Sequence, residues 1–223
     1  MIYEFQFQTV WNNMGFLLVG LRYTFLITIM SVLGAIAIGL VAALIRTSRV
    51  PILNGVVRFY IDFARGTPVL IQLVWVYYAL PIVTGISMSA LTSAILTLSF
   101  NMGAFLAEIF RAGIQSIDRG QREAAFVLGL NYRQTMGEIV LPQAFARILP
   151  PFGSSLIIIL KESSLASVIA VPELLYQSTV LQASTFRPLE ILTVVAVIYF
   201  LLTYPLTLLV GWLEERTGAR ERL

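Results

Sequence analysis

The chain has 223 residues, of which 58% are hydrophobic and only 12% charged, with a formal charge of +3 and a mean hydropathy of +0.85. A soluble domain carries about 25% charged residues, so half that share together with several long apolar runs marks an integral membrane protein. Ten-residue segments of polar–apolar alternation are missing, which argues against a β-barrel, and helices remain as the way to satisfy the backbone in lipid.

Residues up to about Gly20 mix aromatic and polar side chains and read as an interfacial lead-in. Met1-Ile2-Tyr3-Glu4-Phe5 lack the positive region of a cleavable signal peptide, so the first span is expected to stay in the mature protein. Span one runs from about Leu21 to Ile45 and carries Ala35, Gly39 and Ala43 every four residues, a stripe of small side chains that reads as a packing seam. A basic loop with Arg46, Arg49 and Arg58 follows. The piece Arg58-Phe59-Tyr60-Ile61-Asp62-Phe63-Ala64-Arg65 is amphipathic and too charged for hydrocarbon. It is expected to lie at the interface and to kink at Gly66-Thr67-Pro68 into span two, Val69 to about Val83.

Span three covers about Met88 to Phe110, with a second small stripe (Ser99, Gly103, Ala107) and a mid-span amide, Asn101. The longest polar interval holds a loop at about residues 113–147. Span four starts near Ile148, passes Lys161-Glu162-Ser163-Ser164 and ends near Val171; Pro172 to Pro188 read as an external connection. Span five runs from about Leu189 to Trp212, with Pro205 as an expected kink, and the tail from Glu214 is charged.

Five spans put the chain ends on opposite sides. Arg46, Arg49, Arg58, Arg119, Arg122 and Arg133 share a side with the tail residues Arg216, Arg220 and Arg222, and the other side holds little beyond Arg22 and Arg187. The positive-inside rule then places the N-terminus outside and the C-terminus in the cytoplasm. The expected fold is all-α: a polytopic membrane protein of five transmembrane helices forming one domain, residues 1–223.

There is no Cys and no His, which excludes thiolate and imidazole metal sites, Ser-His-Asp triads and Cys nucleophiles. The one lysine, Lys161, follows Leu160 rather than Gly, so a phosphate-cradling G-x-x-x-x-G-K-[ST] loop is impossible here. Energy for any work must come from a partner or from a gradient.

Within the polar loop, Gln121 to Leu128 holds good helix formers, with Ala124, Ala125 and Leu128 at the spacing of one helix face. Gly129 suits a position just past a helix end. Asn131 can cap the next helix, with Gln134 three residues on in a capping-box arrangement. Pro142 is expected to begin the helix that re-enters the membrane.

Glu123-Ala124-Ala125, three residues, Gly129, nine residues, Ile139, one residue, Leu141-Pro142: this spacing resembles the loop motif of ABC importer permeases at every fixed position. Arg65-Gly66-Thr67-Pro68, Glu108-Ile109-Phe110-Arg111-Ala112-Gly113-Ile114, Leu141-Pro142-Gln143-Ala144 and Lys161-Glu162-Ser163-Ser164 extend the resemblance over most of the chain, to the polar amino acid uptake branch. The resemblance implies the type I ABC importer permease fold with a cytoplasmic coupling helix. It implies permease homodimers or heterodimers, two separate ATPase subunits that bind ATP and Mg, a solute-binding protein outside, and the bacterial inner membrane. It further implies that Glu123, Ala124, Ala125 and Gly129 contact the ATPase.

Charges within spans are functional candidates because lipid penalises them. Glu108 and Arg111, three apart, are expected to pair on one helix face. Lys161 and Glu162 point about 100° apart on a helix and so face different surroundings. A zwitterionic amino acid needs an acceptor for its ammonium, which Glu162 can supply. It also needs a donor for its carboxylate, which Lys161 or a Ser can supply, with Ser163, Ser164 and Asn101 as further polar groups. Holding a subunit seam or a gate is the alternative role for this cluster. The expected function is a transport subunit, not an enzyme, that carries polar amino acids by alternating access under the drive of an external ATPase. The alternatives are a gradient-driven transporter or channel subunit, or an ABC permease for another small solute.

Overall fold

The computed structural model describes residues 3–48 and 50–216, so Arg49, Arg220 and Arg222, three of the arginines in the topology argument, lie outside the described residues. Among the described residues nine helical segments follow one another: α1 (Gln8–Asn12), α2 (Met14–Thr47), α3 (Pro51–Gly66), α4 (Val69–Thr84), α5 (Ala90–Gln115), α6 (Arg119–Val127), α7 (Tyr132–Ile169), α8 (Leu174–Thr185) and α9 (Pro188–Arg216). Helices α2, α5, α7 and α9 are each long and apolar enough to cross a membrane. The candidate for a fifth crossing is a broken pair, α3 and α4, bent by 105° at the expected Gly66-Thr67-Pro68 step, where Thr67 and Pro68 are both extended. Helix α4 spans only about 24 Å at 1.5 Å per residue, against about 30 Å of hydrocarbon.

The small-residue stripes meet. Ala35 and Ala107 are fully buried; a Cβ on Gly39 would lie 2.8 Å from Leu106 Cβ, and one on Gly103 would lie 2.8 Å from Ile38 Cγ2. Apolar lipid provides no hydrophobic drive for helices to associate, so close approach over Gly, Ala and Ser supplies the packing instead. Ser99 Oγ donates to Ser31 O (3.3 Å) across the same seam.

Asn101 is buried on α5, and its Nδ2 donates to Ala64 O (2.8 Å) and Gln72 Oε1 (3.2 Å). Gln72 in turn donates to Ala64 O (3.0 Å). One amide pair thereby satisfies the backbone freed at the α3–α4 break, which explains a polar residue in mid-span.

Two expectations change near the ends. The lead-in is already helical from Met14, and Leu17 is fully buried with Leu174, Leu181 and Ile191. Residues 172–188 are more than a connection: α8 packs on α2 and α9, and a Cβ on Gly20 would come 2.8 Å from Leu174 Cα. Its inward residues include Gln177 and Ser178, so apolar periodicity gave no sign of it. Glu173, fully buried, caps α8 by accepting from Leu175 N (2.8 Å) and Tyr176 N (2.7 Å), and takes a third bond from the Tyr199 hydroxyl (3.2 Å).

Glu190, equally buried at the start of α9, accepts from the Tyr3 hydroxyl (2.5 Å) and from Gln6 N (2.9 Å), which raises the Tyr3 phenol above its ordinary pKa. Arg187 donates to Glu4 O (3.0 Å), so the first residues are strapped to α9.

Pro142 stands in the first turn of the α-helical stretch Leu141–Glu162, as expected, but that stretch continues a longer helix. Helix α7 already runs from Tyr132, and the turns ahead of the proline, Thr135–Val140, are wide π-type turns. The same arrangement precedes Pro81, after Trp75–Ala79. A proline lacks an N–H and its ring crowds the carbonyl four residues back; that carbonyl, on Tyr77 or Glu138, sits inside the wide segment both times. Pro150, Pro151 and Pro205 lie in helix without such a segment.

Gly103→Val is expected to lower the thermal midpoint of the purified chain in detergent, since overpacking of this kind costs about 1–3 kcal/mol. Gly55→Val, where an added Cβ meets nothing, should be close to neutral; equal effects would disprove the seam.

Candidate functional site

Helix α6 and its flanks form the first candidate. Asp118 caps α6, its Oδ1 accepting from Gly120 N (2.6 Å). At the other end Gly129 takes φ +80°, with Gly129 N bonded to Phe126 O (3.0 Å) and Leu130 N to Ala125 O (3.0 Å). This left-handed stop is open to glycine at no steric cost. The capping box at Asn131 is complete: Gln134 N donates to Asn131 Oδ1 (3.0 Å) and Asn131 N to Gln134 Oε1 (3.0 Å).

Glu123, Ala124 and Gly129 are exposed, as an external contact requires, but Ala125 is not: only 1% of it is accessible, and its methyl packs against the chain's own body. Ala124, Ala125 and Leu128 therefore do not share one face as their spacing suggested: Ala124 and Leu128 are exposed and Ala125 is buried. Phe126 and Val127, which were not singled out, are exposed by 53% and 87%, beside Leu128 at 79%. Three adjacent apolar residues before a glycine in a polar loop were the available signal.

The second candidate is a cavity of about 920 Å³ between α5 and α7, completed by Arg65 of α3 and Glu214 of α9. Phe105 and Glu108 line it from α5, Ser154, Ser155 and Glu162 from α7. Arg65 lies over the Phe105 ring, 5.3 Å from its centre. Glu108 is held by Arg111, Nε to Oε2 at 3.1 Å and Nη2 to Oε2 at 2.5 Å, the expected pair on one helix face. Arg111 Nη1 extends the chain to Gln115 Oε1 (2.5 Å).

Of the polar residues assigned to a pathway from sequence, Glu162 alone lines the cavity. Lys161 is exposed on another side of α7, as the 100° step between neighbours requires. Ser163 is buried and donates to Leu160 O (2.7 Å), and Ser164 donates to Lys161 O (2.7 Å); both hydroxyls serve the transition to 3₁₀ turns at Ser163–Ile169. Asn101 is committed to the α3–α4 break and does not line the cavity. Arg65 and Ser154, which do, were not singled out, because only the bend at Gly66–Pro68 brings the end of α3 to α5.

The pattern of a family described as "Binding-protein-dependent transport system inner membrane component" matches residues 35–219. The chain belongs to this family. The permease is 37% identical over 214 residues to the glutamine transport system permease protein GlnP of Escherichia coli (strain K12), covering 96% of this chain and 98% of that one. It is 36% identical to the arginine transport system permease protein ArtQ of Bacillus subtilis (strain 168), covering 92% and 94%. A chain in the crystal structure of an amino acid ABC transporter with histidines superposes with a TM-score of 0.90 at 34% identity, over 96% of the permease and all of that chain. A chain of the MetNI methionine ABC transporter, in an inward-facing conformation, shares the fold at a TM-score of 0.72 and 20% identity. The permease is a transport component rather than an enzyme, and in its family the ATPase is a separate subunit.

Gly129→Val should abolish uptake while leaving the permease in the membrane at wild-type level, because a bulky side chain at φ +80° costs about 1–2 kcal/mol and redirects the chain after α6. Gly129→Asn, which tolerates that backbone, should keep most of the activity; normal uptake by the Val variant would refute the requirement.

Proposed function

We propose that this permease is the membrane-spanning subunit of an ATP-driven bacterial importer of polar amino acids, working by alternating access. The observation that carries the reading is that one pair of helices, α5 and α7, both walls the cavity and flanks α6. Movement of α6 by a partner would therefore reach the cavity wall directly. The high identity to permeases named for glutamine and arginine supports the substrate class.

The N-terminus lies outside and α6 faces the cytoplasm in this reading, which puts the loop on the side where ATP is. A separate ATPase subunit, which binds ATP and Mg, receives the exposed side of α6: Glu123 and Ala124 with Phe126, Val127 and Leu128, and Gly129 setting where the helix stops. Ala125 contributes from the inner side. A second permease subunit, the same or paralogous, completes the pathway, and a solute-binding protein delivers the amino acid from outside to the inner membrane.

In the cavity, Glu162 is the acceptor for a substrate ammonium; among the described residues it has no hydrogen-bond or ion-pair partner. Arg65 and Ser154 replace Lys161 as donors toward a carboxylate. Ser163, Ser164 and Asn101 hold the surrounding helices instead, and Lys161 faces away from the cavity.

Reconstitution of the tagged chain with its ATPase and binding protein in nanodiscs tests this. Glu162→Gln is expected to raise the amino acid concentration needed for half-maximal stimulation of ATPase by about 10-fold or more, the loss of one charge-assisted hydrogen bond. An unshifted curve removes Glu162 from the pathway, and a pull-down without an ATPase subunit rejects the importer reading.

A further inference from the structure

The last turn of a helix leaves carbonyls without partners, and the end of α5 accounts for its own in an unusual way. Ser116 N donates to Ala112 O (2.8 Å) and Ser116 Oγ to Gly113 O (2.8 Å). The next carbonyl, Ile114 O, is taken by Arg122 Nη2 of α6 at 2.9 Å. Beyond the helix, Ser116 O receives Arg147 Nη1 of α7. Two guanidinium groups thus converge on the negative end of the α5 dipole, where cations are stabilised, and they come from the two elements on either side of the loop.

Arg122 and Ala125, three apart on α6, form its inward face: Arg122 is half-buried and Ala125 buried, while Glu123, Ala124 and Val127 are exposed. Among the described residues the buried Arg122 Nε has no partner, and the polar hold of this side chain on α5 is the one N–H···O bond to Ile114 O. Below it, Ile117, Val140 and Ala144 form a buried cluster with Ile114 and Ile148, and Gly113 lies so close to Ile148 that any Cβ there would collide. The end of α5 and the entry of α7 are therefore one packed body, against which α6 lays the Arg122 guanidinium and the buried Ala125 methyl.

We propose that Arg122 is the positioning residue that transmits motion of α6 to the cavity: it clamps α6 to the C-terminal carbonyl of α5, so that α6 and the cavity wall bearing Phe105 and Glu108 move together. Arg147 closes the same end from α7. Arg122 touches neither solute nor the exposed contact side of α6. This rests on the importer reading above and adds the part that carries force inside the chain.

The test measures solute carried per ATP hydrolysed by the assembled transporter in proteoliposomes. Arg122→Met, which keeps the length but loses the donor, is expected to lower that ratio about tenfold or more, the value of one hydrogen bond to a charged group. Arg122→Lys keeps one charged donor and should stay within about twofold of wild type. A wild-type ratio in Arg122→Met, or a ratio in Arg122→Lys as low as in Arg122→Met, would overturn the clamp. Absence of ATP hydrolysis in the wild-type assembly would instead count against the importer reading.

Because the chain has no cysteine, Gln121→Cys and Leu96→Cys give a unique spin-label pair on exposed positions of α6 and α5, independent of how the Arg122 variants fold. One unchanged distance in the nucleotide-free and ATP-trapped assemblies is the expected result; a distance that changes between them would overturn the proposal.

Discussion

Two helices can lie backbone to backbone only where no large side chain stands between them, and the α2–α5 seam is where this protein meets that condition. Gly39 and Gly103 face each other's helices with no room for a Cβ. Helices α3, α4 and α7 pack on α5 as well, while α8 and α9 pack on α2 and α7. On α5, Asn101 ties down the α3–α4 break, the Phe100 carbonyl accepts from Tyr60 of α3 (2.7 Å), and the end of the helix meets α6 and α7. Of the most apolar stretch of α5, 61% is buried, against 11% for α9; α5 is the central post, and α9 mostly faces outward.

The acidic groups divide by how completely the chain answers them. Glu173 and Glu190 are fully buried, and each has several donors aimed at its carboxylate oxygens, as a charge in an apolar surround requires. They fasten the outer parts of the fold, α8 to α9 and the N-terminal strap to α9. Glu108 is answered by its own helix through Arg111. Glu162 is answered by nothing among the described residues and opens on the cavity. A carboxylate left half-satisfied in this setting costs stability, and that cost has a rationale where a cationic ligand passes.

Features that depend on a few neighbouring residues were readable in the sequence. The bend at Gly66-Thr67-Pro68, the left-handed Gly129 and the capping box between Asn131 and Gln134 each follow from local backbone chemistry, and each is present. What escaped needed distant partners. Asn101 read as a pathway amide because the carbonyl of Ala64, 37 positions away, could not be foreseen as its acceptor. Ala125 read as a surface residue because its exposure depends on how α6 seats on α7. Helix α8 was hidden because its buried side mixes Gln177 and Ser178 with Leu174 and Leu181, and its cap is a glutamate.

The wide turns before Pro81 and Pro142 each take in one more residue per hydrogen-bonded ring than an α-turn does. Each therefore advances the angular phase of everything beyond it by about 100°. A helical wheel drawn straight through α4 or α7 would assign lipid-facing and inward positions correctly on one side of the proline and rotate them by roughly a quarter turn on the other. Tyr77 and Ile82, or Met136 and Phe145, cannot be placed on a common wheel. Scanning substitutions along these two helices will show a repeat that slips by one residue at the proline, and that slip is a property of the backbone rather than of the side chains that report it.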